Sequence, residues 1–588
     1  MSGNYSLVRI LTFGSFVAGQ FDKDNLIRSK DMTHNKKALA MAVATSILLW
    51  GCGQPQQAEP KAAAPAAKQE AAKPLSKADV KLAPVQELVK GNGAEPATLD
   101  PAKTEGTVES NIQRDLYEGL VTTGPNGEVR PGVAERWETK DNKVYTFYLR
   151  KDAKWSNGDP VTAGDFVYAF RRVVDPKTGS PYSWYLETPG IVNATAVING
   201  KVKPEELGVK AVDDHTFEVT LEKPISYFVS MMAHTTVYPE PQKVIEKFGD
   251  KWTQPGNLVG NGAYNLKEWV VNEKIVLERN KTYWDDANTT INKVTYLPIQ
   301  SQNADMNRYL AGEVEMTYET PIEQFKRLQK ERPDEVRVTG YVGTYYYEFN
   351  CKKKPFDDVR VRKALAFAID RAVIADSVMG QGQKPGYGLV PDFVDGFVPA
   401  TPAYAKLTQE QRNEEAKKLL KEAGFDEAHP LKFELLYNTS ENHKKVAVAV
   451  AAMWKKTLGV DVALVNQEWK TYLETKSGGN FDVARAGWIA DYNEASSMLD
   501  LKQTTHGNND GKYSNPKYDE LMAKSREVSD SAARNKLYAE AETILAEDMP
   551  LANIYQYVTA RLVKPYVGGY PNNPLDNLYT KDMYIIAH

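Results

Sequence analysis

Residues 431–465 constrain the fold of this 588-residue chain most strongly, because a strand, a helix and a second strand follow one another there. Leu431–Tyr437 and Val460–Val465 have the apolar, β-branched character of strands. The helix between them carries its apolar residues on one face: Val446, Ala449, Val450, Met453 and Trp454. A strand–helix–strand order of this length forms a βαβ unit with parallel strands. The sequence therefore predicts an α/β fold with a largely parallel sheet in this half of the chain.

One acidic residue follows a further candidate strand, at the edge of the sheet where open α/β folds bind ligands. Phe481–Ala484 is predicted to be a short buried strand, Gly487 leaves room for another backbone to approach, and Trp488 offers a flat apolar wall. Asp491 comes next, so its carboxylate is a candidate site for an ammonium group. The alternative is that Asp491 caps the following turn, as Asp often does after strands.

The first half of the chain also alternates strand and helix patterns. Val144–Leu149 and Phe217–Leu221 alternate apolar and polar residues, as strands do. Between them, Thr162 and Asp165 have the spacing of a capping box at the start of a helix. Arg360–Arg371 predicts a helix with one buried face in the second half. At 42% hydrophobic and 26% charged residues, the chain is expected to form two or more lobes.

The sequence lacks the patterns of several other function classes. A formal net charge of −4 without a dense basic stripe argues against a nucleic-acid partner. No GxSxG, HExxH, CxxC or Walker-type loop occurs, so no enzyme activity, metal or cofactor is predicted, although a peptidase stays open as an alternative. His234 is expected to pack structurally, since no second histidine or carboxylate lies at metal-ligand spacing from it.

The N-terminal region has the composition of a targeting segment, and residues 1–52 are predicted to be a leader and signal peptide. Met32 is the more natural start of this segment than Met1, and a basic start is followed by an apolar run that ends at Leu49–Cys52. This end is similar to a bacterial lipobox, which makes Cys52 a candidate for lipid attachment; the alternative is a plain cleaved signal. Residues 53–84, rich in Ala, Pro, Gln and Lys, are predicted to form a flexible tether.

Several motifs together resemble those of bacterial oligopeptide-binding proteins, the solute receptors of peptide ABC transporters. These are Gly93–Pro101, Leu116–Leu120, Pro131–Trp137 and Asp482–Asn493, and the resemblance extends from Val85 to His588. It implies a two-lobed periplasmic binding protein of the Venus-flytrap type, an α/β fold with mixed sheets and an inserted extra domain. The implied divisions are lobe I from residues 85–117, 241–342 and 559–588, a smaller inserted domain from 118–240, and lobe II from 343–558.

The resemblance also implies a set of ligand-binding residues. Asp491 would pair with the α-ammonium group of a peptide, with Tyr182 on the same end of the ligand. The strand at Arg485 and Gly487 would supply partners for the peptide backbone, and Glu105 and Thr107 would contact it from lobe I. Further residues match positions that line side-chain pockets: Tyr346, Glu348, Asn438, Trp469, Trp488 and Tyr557.

At the carboxylate end the resemblance implies cationic groups at different depths. His443 matches one, and Lys476 stands where Arg is common. Met379 stands where well-known oligopeptide receptors have Lys, a departure shared with receptors of the murein tripeptide type. The preferred ligand length therefore stays open.

The function that these observations favour is a monomeric receptor, periplasmic and either free or lipid-anchored to the cell envelope. It would close its lobes around an oligopeptide by a hinge motion and deliver the peptide to an inner-membrane ABC permease. A murein tripeptide receptor is the nearest alternative. A nickel or haem receptor is a further one, which the scattered histidines disfavour.

Overall fold

The computed structural model describes residues 77–394 and 396–588. The predicted leader, Cys52 and residues 53–76 of the predicted tether lie outside these ranges. The last part of the predicted tether is not free: Leu82 forms a β-bridge with Ile586, and the Ala83 N–H donates to the Ile585 carbonyl at 2.9 Å. The tether prediction is wrong there, because the chain is already paired with its own C-terminal segment before Val85.

Strands and helices alternate along most of the described chain. The strands are β1 (Glu87–Gly91), β2 (Val121–Thr123), β3 (Val129–Pro131), β4 (Ala134–Thr139), β5 (Val144–Leu149), β6 (Val209–Asp213), β7 (Thr216–Thr220), β8 (Tyr264–Val270), β9 (Lys274–Arg279), β10 (Lys293–Leu297), β11 (Val336–Phe349), β12 (Lys384–Pro385), β13 (Lys432–Asn438), β14 (Asp461–Gln467), β15 (Val483–Ile489), β16 (Leu551–Leu562), β17 (Val567–Gly568) and β18 (Tyr584–Ile585).

The helices include several short ones between the strands. They are α1 (Thr107–Leu116), α2 (Ala163–Val174), α3 (Trp184–Glu187), α4 (Ala194–Ile198), α5 (Phe228–Met231), α6 (Gln242–Phe248), α7 (Gln302–Ala311), α8 (Ile322–Glu331), α9 (Val359–Phe367), α10 (Gln409–Glu422), α11 (Glu441–Leu458), α12 (Trp469–Ser477), α13 (Ser496–Leu499), α14 (Pro516–Ser525) and α15 (Ser531–Asp548). Val373–Met379 forms a π-helix. None of the helices in the described ranges is both long and apolar enough to cross a membrane.

Two four-stranded sheets form the first half of the described chain. One has the order β1-β10-β9-β8, with β1 parallel to β10 and the other neighbours antiparallel. The other, β4-β5-β7-β6, is antiparallel throughout and comes from residues between β1 and β8. The chain thus leaves the first sheet, builds a second one and returns. The bounds of the inserted domain, 118–240, stay a prediction.

Local sequence signals account for several of these elements. The Thr162 N–H donates to the Asp165 carboxylate at 2.7 Å, which confirms the predicted capping box at the start of α2. The helix predicted over Arg360–Arg371 is present as α9, although it ends earlier, at Phe367. Here the chain turns into the π-helical segment.

The six-stranded sheet of the second half has the order β12-β16-β11-β15-β13-β14. β13 lies parallel to β14, with Lys432 opposite Asp461, so the predicted βαβ unit is confirmed. The expected largely parallel sheet is wrong: β13 also lies parallel to β15, but β11 is antiparallel to both β15 and β16, and β12 to β16. α11 joins β13 to β14 and α12 joins β14 to β15, and these three strands run in one direction, whereas β11 runs opposite to β15. A helical crossover imposes a common direction only on the strands that it joins. The sheet is mixed, as the fold class implies.

Two long strands run from one lobe into the other. β11 and β16 pair from Val336 opposite Leu562 to Gly340 opposite Val558, and again from Thr344 opposite Gln556. The register shifts between these stretches, because three residues of β11, 341–343, lie opposite one residue of β16, Tyr557. Such irregularities bend a strand pair. The bend falls at the predicted lobe boundaries, 342/343 and 558/559.

Candidate ligand-binding site

A cavity of about 310 Å³ lies between the lobes. Its walls come from the start of α1, the segments around Tyr182 and His234, the irregular part of β11 and β16, and the second half of β15. Of the predicted ligand residues, thirteen line it: Glu105, Thr107, Tyr182, Tyr346, Asn438, His443, Trp469, Lys476, Arg485, Gly487, Trp488, Asp491 and Tyr557. The sequence therefore predicted which residues meet, although they are spread from position 105 to position 557.

Glu348 is the exception. Its carboxylate is buried, accepts from Lys502 at 2.5 Å and from the Gly511 N–H at 3.0 Å, and is absent from the cavity lining. Burial opposes ionisation of Glu348, but Lys502 and Lys476 outweigh it and lower the pKa of this carboxyl. Glu348 thus holds two lysines in the interior of lobe II, and the predicted pocket-lining position is wrong.

Asp491 lies just beyond β15, which runs from Val483 to Ile489 and so extends further than the predicted strand. Its side chain is 8% exposed. The Tyr182 hydroxyl donates to Asp491 Oδ1 at 3.4 Å, and His234 Nε2 lies 3.3 Å from the same oxygen. Among the described residues, no lysine or arginine forms an ion pair with Asp491. A buried carboxylate without a cation is costly to maintain unless a ligand provides one.

His234 contributes to this end of the cavity, which the sequence did not indicate. Its ring stacks on Tyr182 with centroids 5.1 Å apart, and Nδ1 accepts from the Thr236 N–H at 3.3 Å. An accepting Nδ1 places the ring hydrogen on Nε2, which faces Asp491. His234 does pack structurally, as expected, but it also lines the cavity. Its distance from Asp491 along the chain left no sequence signal for this contact.

The strand segment that leads to Asp491 has one free edge. β13 pairs only with the start of β15, through Leu435 opposite Val483 and Leu436 opposite Ala484. Across the described part of the chain, no strand pairs with residues 485–489 on that side, while β11 pairs with them on the other. These backbone groups face the cavity and can pair with an added strand.

Gly487 makes room for a side chain rather than for a backbone. A Cβ at this position would lie 2.5 Å from the Tyr557 hydroxyl, so the predicted reason for the glycine is wrong. The predicted wall is present: the Trp488 ring stacks on Tyr182 at an interplanar angle of 10°.

Arg485 is a buried cation. Nη1 donates to Asn438 Oδ1 at 3.1 Å and Nη2 to the Tyr557 hydroxyl at 2.5 Å, while Nε has no partner. The guanidinium lies 4.7 Å from the centre of the Tyr345 ring. Within the described ranges no carboxylate forms an ion pair with it. Arg485 was expected to act through its backbone, but its side chain provides an unpaired charge.

The two residues predicted as cationic groups do not provide a free charge. Burial and the nearby Arg485 hold the pKa of His443 well below its usual range, so the imidazole is neutral at physiological pH. Lys476 pairs with Asp510 and lies 3.7 Å from Glu348. Burial opposes the Lys476 charge, but Asp510 and Glu348 outweigh it and raise its pKa well above its usual range. Its charge is thus already balanced inside the protein.

The remaining lobe I residues lie where the cavity meets lobe II. Burial raises the pKa of Glu105, although Lys476 lowers it in part. The Thr107 hydroxyl lies 3.1 Å from the Tyr318 hydroxyl. Glu105 forms no ion pair with another described residue.

The cavity has an unpaired anion at one end and an unpaired cation further along the same strand. Asp491 and Arg485 are six residues apart, which corresponds to at most about 20 Å of extended backbone. No group of three or more His, Cys, Asp or Glu in the described ranges could hold a metal ion. The fold and the cavity between the lobes together define a two-lobed solute receptor.

Comparisons with known proteins assign the family. Residues 128–510 match the middle region of the bacterial extracellular solute-binding proteins, family 5, and the chain belongs to this family. It is 56% identical over 513 residues to the periplasmic oligopeptide-binding protein OppA of Salmonella typhimurium, an alignment that covers 87% of this chain and 94% of that protein. The family and the fold implied by the sequence motifs are confirmed.

Solved structures also indicate how the lobes are arranged. OppA of Haemophilus influenzae in complex with the peptide RPPGFSPFR matches with a TM-score of 0.85 at 52% identity, over 86% of this chain and 100% of that one. The Escherichia coli murein tripeptide binding protein MppA matches with 0.85 at 50% identity, over the same shares of the two chains. An unliganded open form of MppA matches with only 0.64 at 49% identity, over 87% and 99%. The lobes here are therefore arranged differently from that open form.

Proposed function

We propose that this protein is an extracytoplasmic receptor that binds oligopeptides between its lobes and delivers them to an ABC permease for uptake. The observation that carries the proposal is the pair of buried charges in the cavity, Arg485 within β15 and Asp491 just beyond it, neither with a lysine, arginine or carboxylate as ion-pair partner among the described residues. Every unmodified peptide has a positive amino end and a negative carboxyl end. The names of the relatives, oligopeptide-binding and murein tripeptide-binding proteins, point to the same ligand class.

Asp491 would bind the ammonium group of the ligand. Its Oδ1 already faces Tyr182 and His234, so the ligand would add the missing positive charge to a carboxylate held in place on one side. Losing one partner of such a buried charged pair costs about 2 to 5 kcal/mol. This single contact can therefore decide whether a ligand is retained.

Arg485 would bind the carboxylate, directly or through water. Its free Nε and its hydrogen bonds to Asn438 and Tyr557 leave an oriented guanidinium with donors to spare. Water-mediated contacts are nearly as favourable in enthalpy as direct ones, so peptides of different lengths can use the same cation.

The peptide backbone would pair with the free edge of residues 485–489. This mode recognises what all peptides share, and leaves side chains in pockets walled by Trp469, Trp488 and Tyr346. Because the receptor would recognise the main chain of the peptide, it would bind peptides of many different sequences.

Ligand capture would involve a hinge at the register shift of β11 and β16. The bend lies at the cavity, since Tyr341 and Tyr557 line it, and few residues need to change conformation there. The better match to the peptide complex of a relative than to an open form supports a closed arrangement in the structure.

Calorimetry with unmodified tri-, tetra- and pentapeptides, with their N-acetylated forms and with murein tripeptide tests this function. We expect tight binding of the unmodified peptides and loss of binding on acetylation. Binding of murein tripeptide alone would replace the proposal with the cell-wall peptide receptor, and release of shortened peptides would indicate a peptidase. Metal analysis of the purified protein tests the nickel and haem alternatives.

We extend the proposal to the location of the protein. The signal-like segment before Cys52 and the periplasmic relatives favour a periplasmic receptor, with Cys52 as lipid anchor if the lipobox-like end is used, and we expect this receptor to be a monomer. Mass spectrometry of the mature N-terminus distinguishes an acylated Cys52 from a plain cleaved signal, and light scattering tests the monomer.

A further inference from the structure

A second cavity of about 690 Å³ lies beside the ligand cavity. It is bounded by the first turns of α8, the end of the π-helix over Val373–Met379, and the first half of α11. The first of these elements belongs to lobe I and the others to lobe II. With the predicted lobe bounds, the second cavity is a further cleft between the lobes.

The wall between the two cavities is one side chain thick. Met379 lines both of them. Gln302 lines the ligand cavity and its neighbour Asn303 lines the second cavity. In the same way, His443 lines the ligand cavity and Lys444 the second cavity. Met379 has an unbranched, flexible side chain that adapts its shape easily. A movement of this residue would connect the two spaces.

The wall carries unused hydrogen-bond acceptors on the side of the ligand cavity. Gln302 is 6% exposed and Asn442 is 5% exposed, and both line that cavity. Their amide nitrogens donate to Glu319, but Gln302 Oε1 and Asn442 Oδ1 have no partner. Buried acceptors without a donor are uncommon in proteins and favour a ligand that supplies one. A peptide backbone supplies N–H donors at regular spacing.

The second cavity has an excess of free positive charge. Glu323 pairs with Lys445, and Glu441 accepts from Ser301 at 3.1 Å and from the Asn303 side chain at 3.0 Å. Lys326 and Lys444 are exposed, line the cavity and form no ion pair with any residue in the described ranges. Against these two lysines stands one glutamate, Glu441, whose hydrogen-bond donors are neutral, so the cleft offers an incoming carboxylate a net excess of one positive charge.

We propose that the second cavity is an extension site for the C-terminal part of peptides too long for the enclosed cavity. Such a peptide would keep its amino end at Asp491, displace Met379 and place its terminal carboxylate near Lys326 and Lys444. This inference rests on the proposed function and adds a second subsite to it, for peptides longer than the first cavity holds, with a preference for a free carboxyl end.

The test compares peptides that differ only in length. The tripeptide Ala-Gly-Ser and the nonapeptide with this sequence three times carry charge only at their ends. The variant Lys326→Glu/Lys444→Glu is expected to bind the nonapeptide about fivefold more weakly than the wild type, the scale of two exposed ion pairs, and the tripeptide equally well. Amidation of the nonapeptide is expected to weaken its binding to the wild type. It is also expected to remove most of the difference in nonapeptide affinity between the wild type and Lys326→Glu/Lys444→Glu.

The matched control is Lys330→Glu/Lys456→Glu. These lysines lie on the same helices, α8 and α11, are exposed, and line neither cavity. The control changes the net charge equally, so it is expected to bind both peptides like the wild type. Equal nonapeptide affinity for the wild type and Lys326→Glu/Lys444→Glu, or an equal loss for both peptides, would overturn the extension site.

Photocrosslinking locates the end of the long peptide. A benzophenone residue at position 9 of the nonapeptide is expected to label residues 322–326 or 444–449, whereas one at position 3 of the tripeptide is expected to label residues of the enclosed cavity. Labelling outside the second cavity from position 9 would refute the inference. If the wild type fails to bind the tripeptide, the proposed function itself fails. If the wild type binds the tripeptide, but the nonapeptide affinity does not change in Lys326→Glu/Lys444→Glu and position 9 does not label the second cavity, only the extension site fails.

Discussion

Two groups of buried charges lie side by side in lobe II, and they differ in what balances them. In one group, Lys476 and Lys502 contact Glu348 and Asp510, so that two cations meet two anions within the protein. In the other, Asp491 forms no ion pair with a lysine or arginine, and Arg485 none with a carboxylate, among the described residues. The first group is complete without a ligand, whereas the second becomes complete only with one. Residue type and burial alone do not distinguish a structural charge from a binding charge; its partners do.

Lys502→Met is expected to have the largest effect, and on folding. The lysine is 1% exposed and Glu348 2%, so the substitution leaves a buried carboxylate with the more distant Lys476 as its remaining cation. Breaking a buried ion pair of this kind costs about 3 to 5 kcal/mol. Denaturant unfolding of the ligand-free protein measures the loss.

The double variant Lys502→Met/Glu348→Gln is the control for Lys502→Met. It removes both charges and is expected to recover much of the free energy of unfolding, because no unpaired charge remains. If Lys502→Met unfolds like the wild type, the proposed difference between the two charge groups is incorrect.

Asp491→Asn is expected to affect binding instead of folding. It keeps the shape of the side chain and removes the anion, so free-amine peptides should bind more weakly by about 2 to 5 kcal/mol. The free energy of unfolding without ligand should change by no more than about 1 kcal/mol, since no internal cation loses its partner. Calorimetry and denaturant unfolding give the two values.

N-acetylated peptides provide the control for Asp491→Asn. They lack the ammonium group and should bind the wild type and the variant with equal weakness. Unchanged affinity of Asp491→Asn for free-amine peptides would mean that the ammonium site lies elsewhere.

Arg485→Gln is expected to have a smaller effect on binding, about 1.5 to 3 kcal/mol, the scale of a hydrogen bond to a charged group. The effect is smaller because water can replace part of the contact with a mobile carboxylate. The measurement is the affinity difference between free-acid and amidated tripeptides, which should shrink in the variant. A difference as large as in the wild type would assign the carboxylate to another cation.

The sequence could predict features that depend on residues close together in the chain, and could not predict features that depend on contacts formed by the tertiary fold. The βαβ unit, the capping box at Thr162 and the position of Asp491 after a strand depend on neighbours in sequence, and the structure confirms them. The charge states of Lys476 and His443 depend on Asp510 and Arg485, which only the tertiary fold brings near.

Other errors have the same origin. The resemblance placed Glu348 at a side-chain pocket, but its carboxylate pairs with Lys502 and does not line the cavity. His234 was assigned to packing because no second histidine or carboxylate lies at metal-ligand spacing from it in sequence, whereas the fold brings Asp491 to 3.3 Å from its ring. Motif resemblance named residues that line one cavity, and the partners of each charge had to come from the structure.

The smallest expected effect is that of replacing His443. This substitution tests whether His443 is neutral in the folded protein, in contrast to Arg485 and Lys476. Burial and Arg485 hold the pKa of His443 well below the usual value of about 6.5 in the folded protein. As the pH falls below 6.5, the unfolded chain therefore binds a proton at this residue and the folded protein does not. Stability from this group is therefore present above pH 6.5 and lost toward acid. Compared with His443→Asn, the wild type should lose up to about 1.4 kcal/mol of unfolding free energy between pH 6 and pH 5. The comparison of the two proteins cancels the contributions of other titrating groups. A constant difference between them over this range would mean that His443 is charged in the folded state, and that it could serve as a cation for the carboxylate after all.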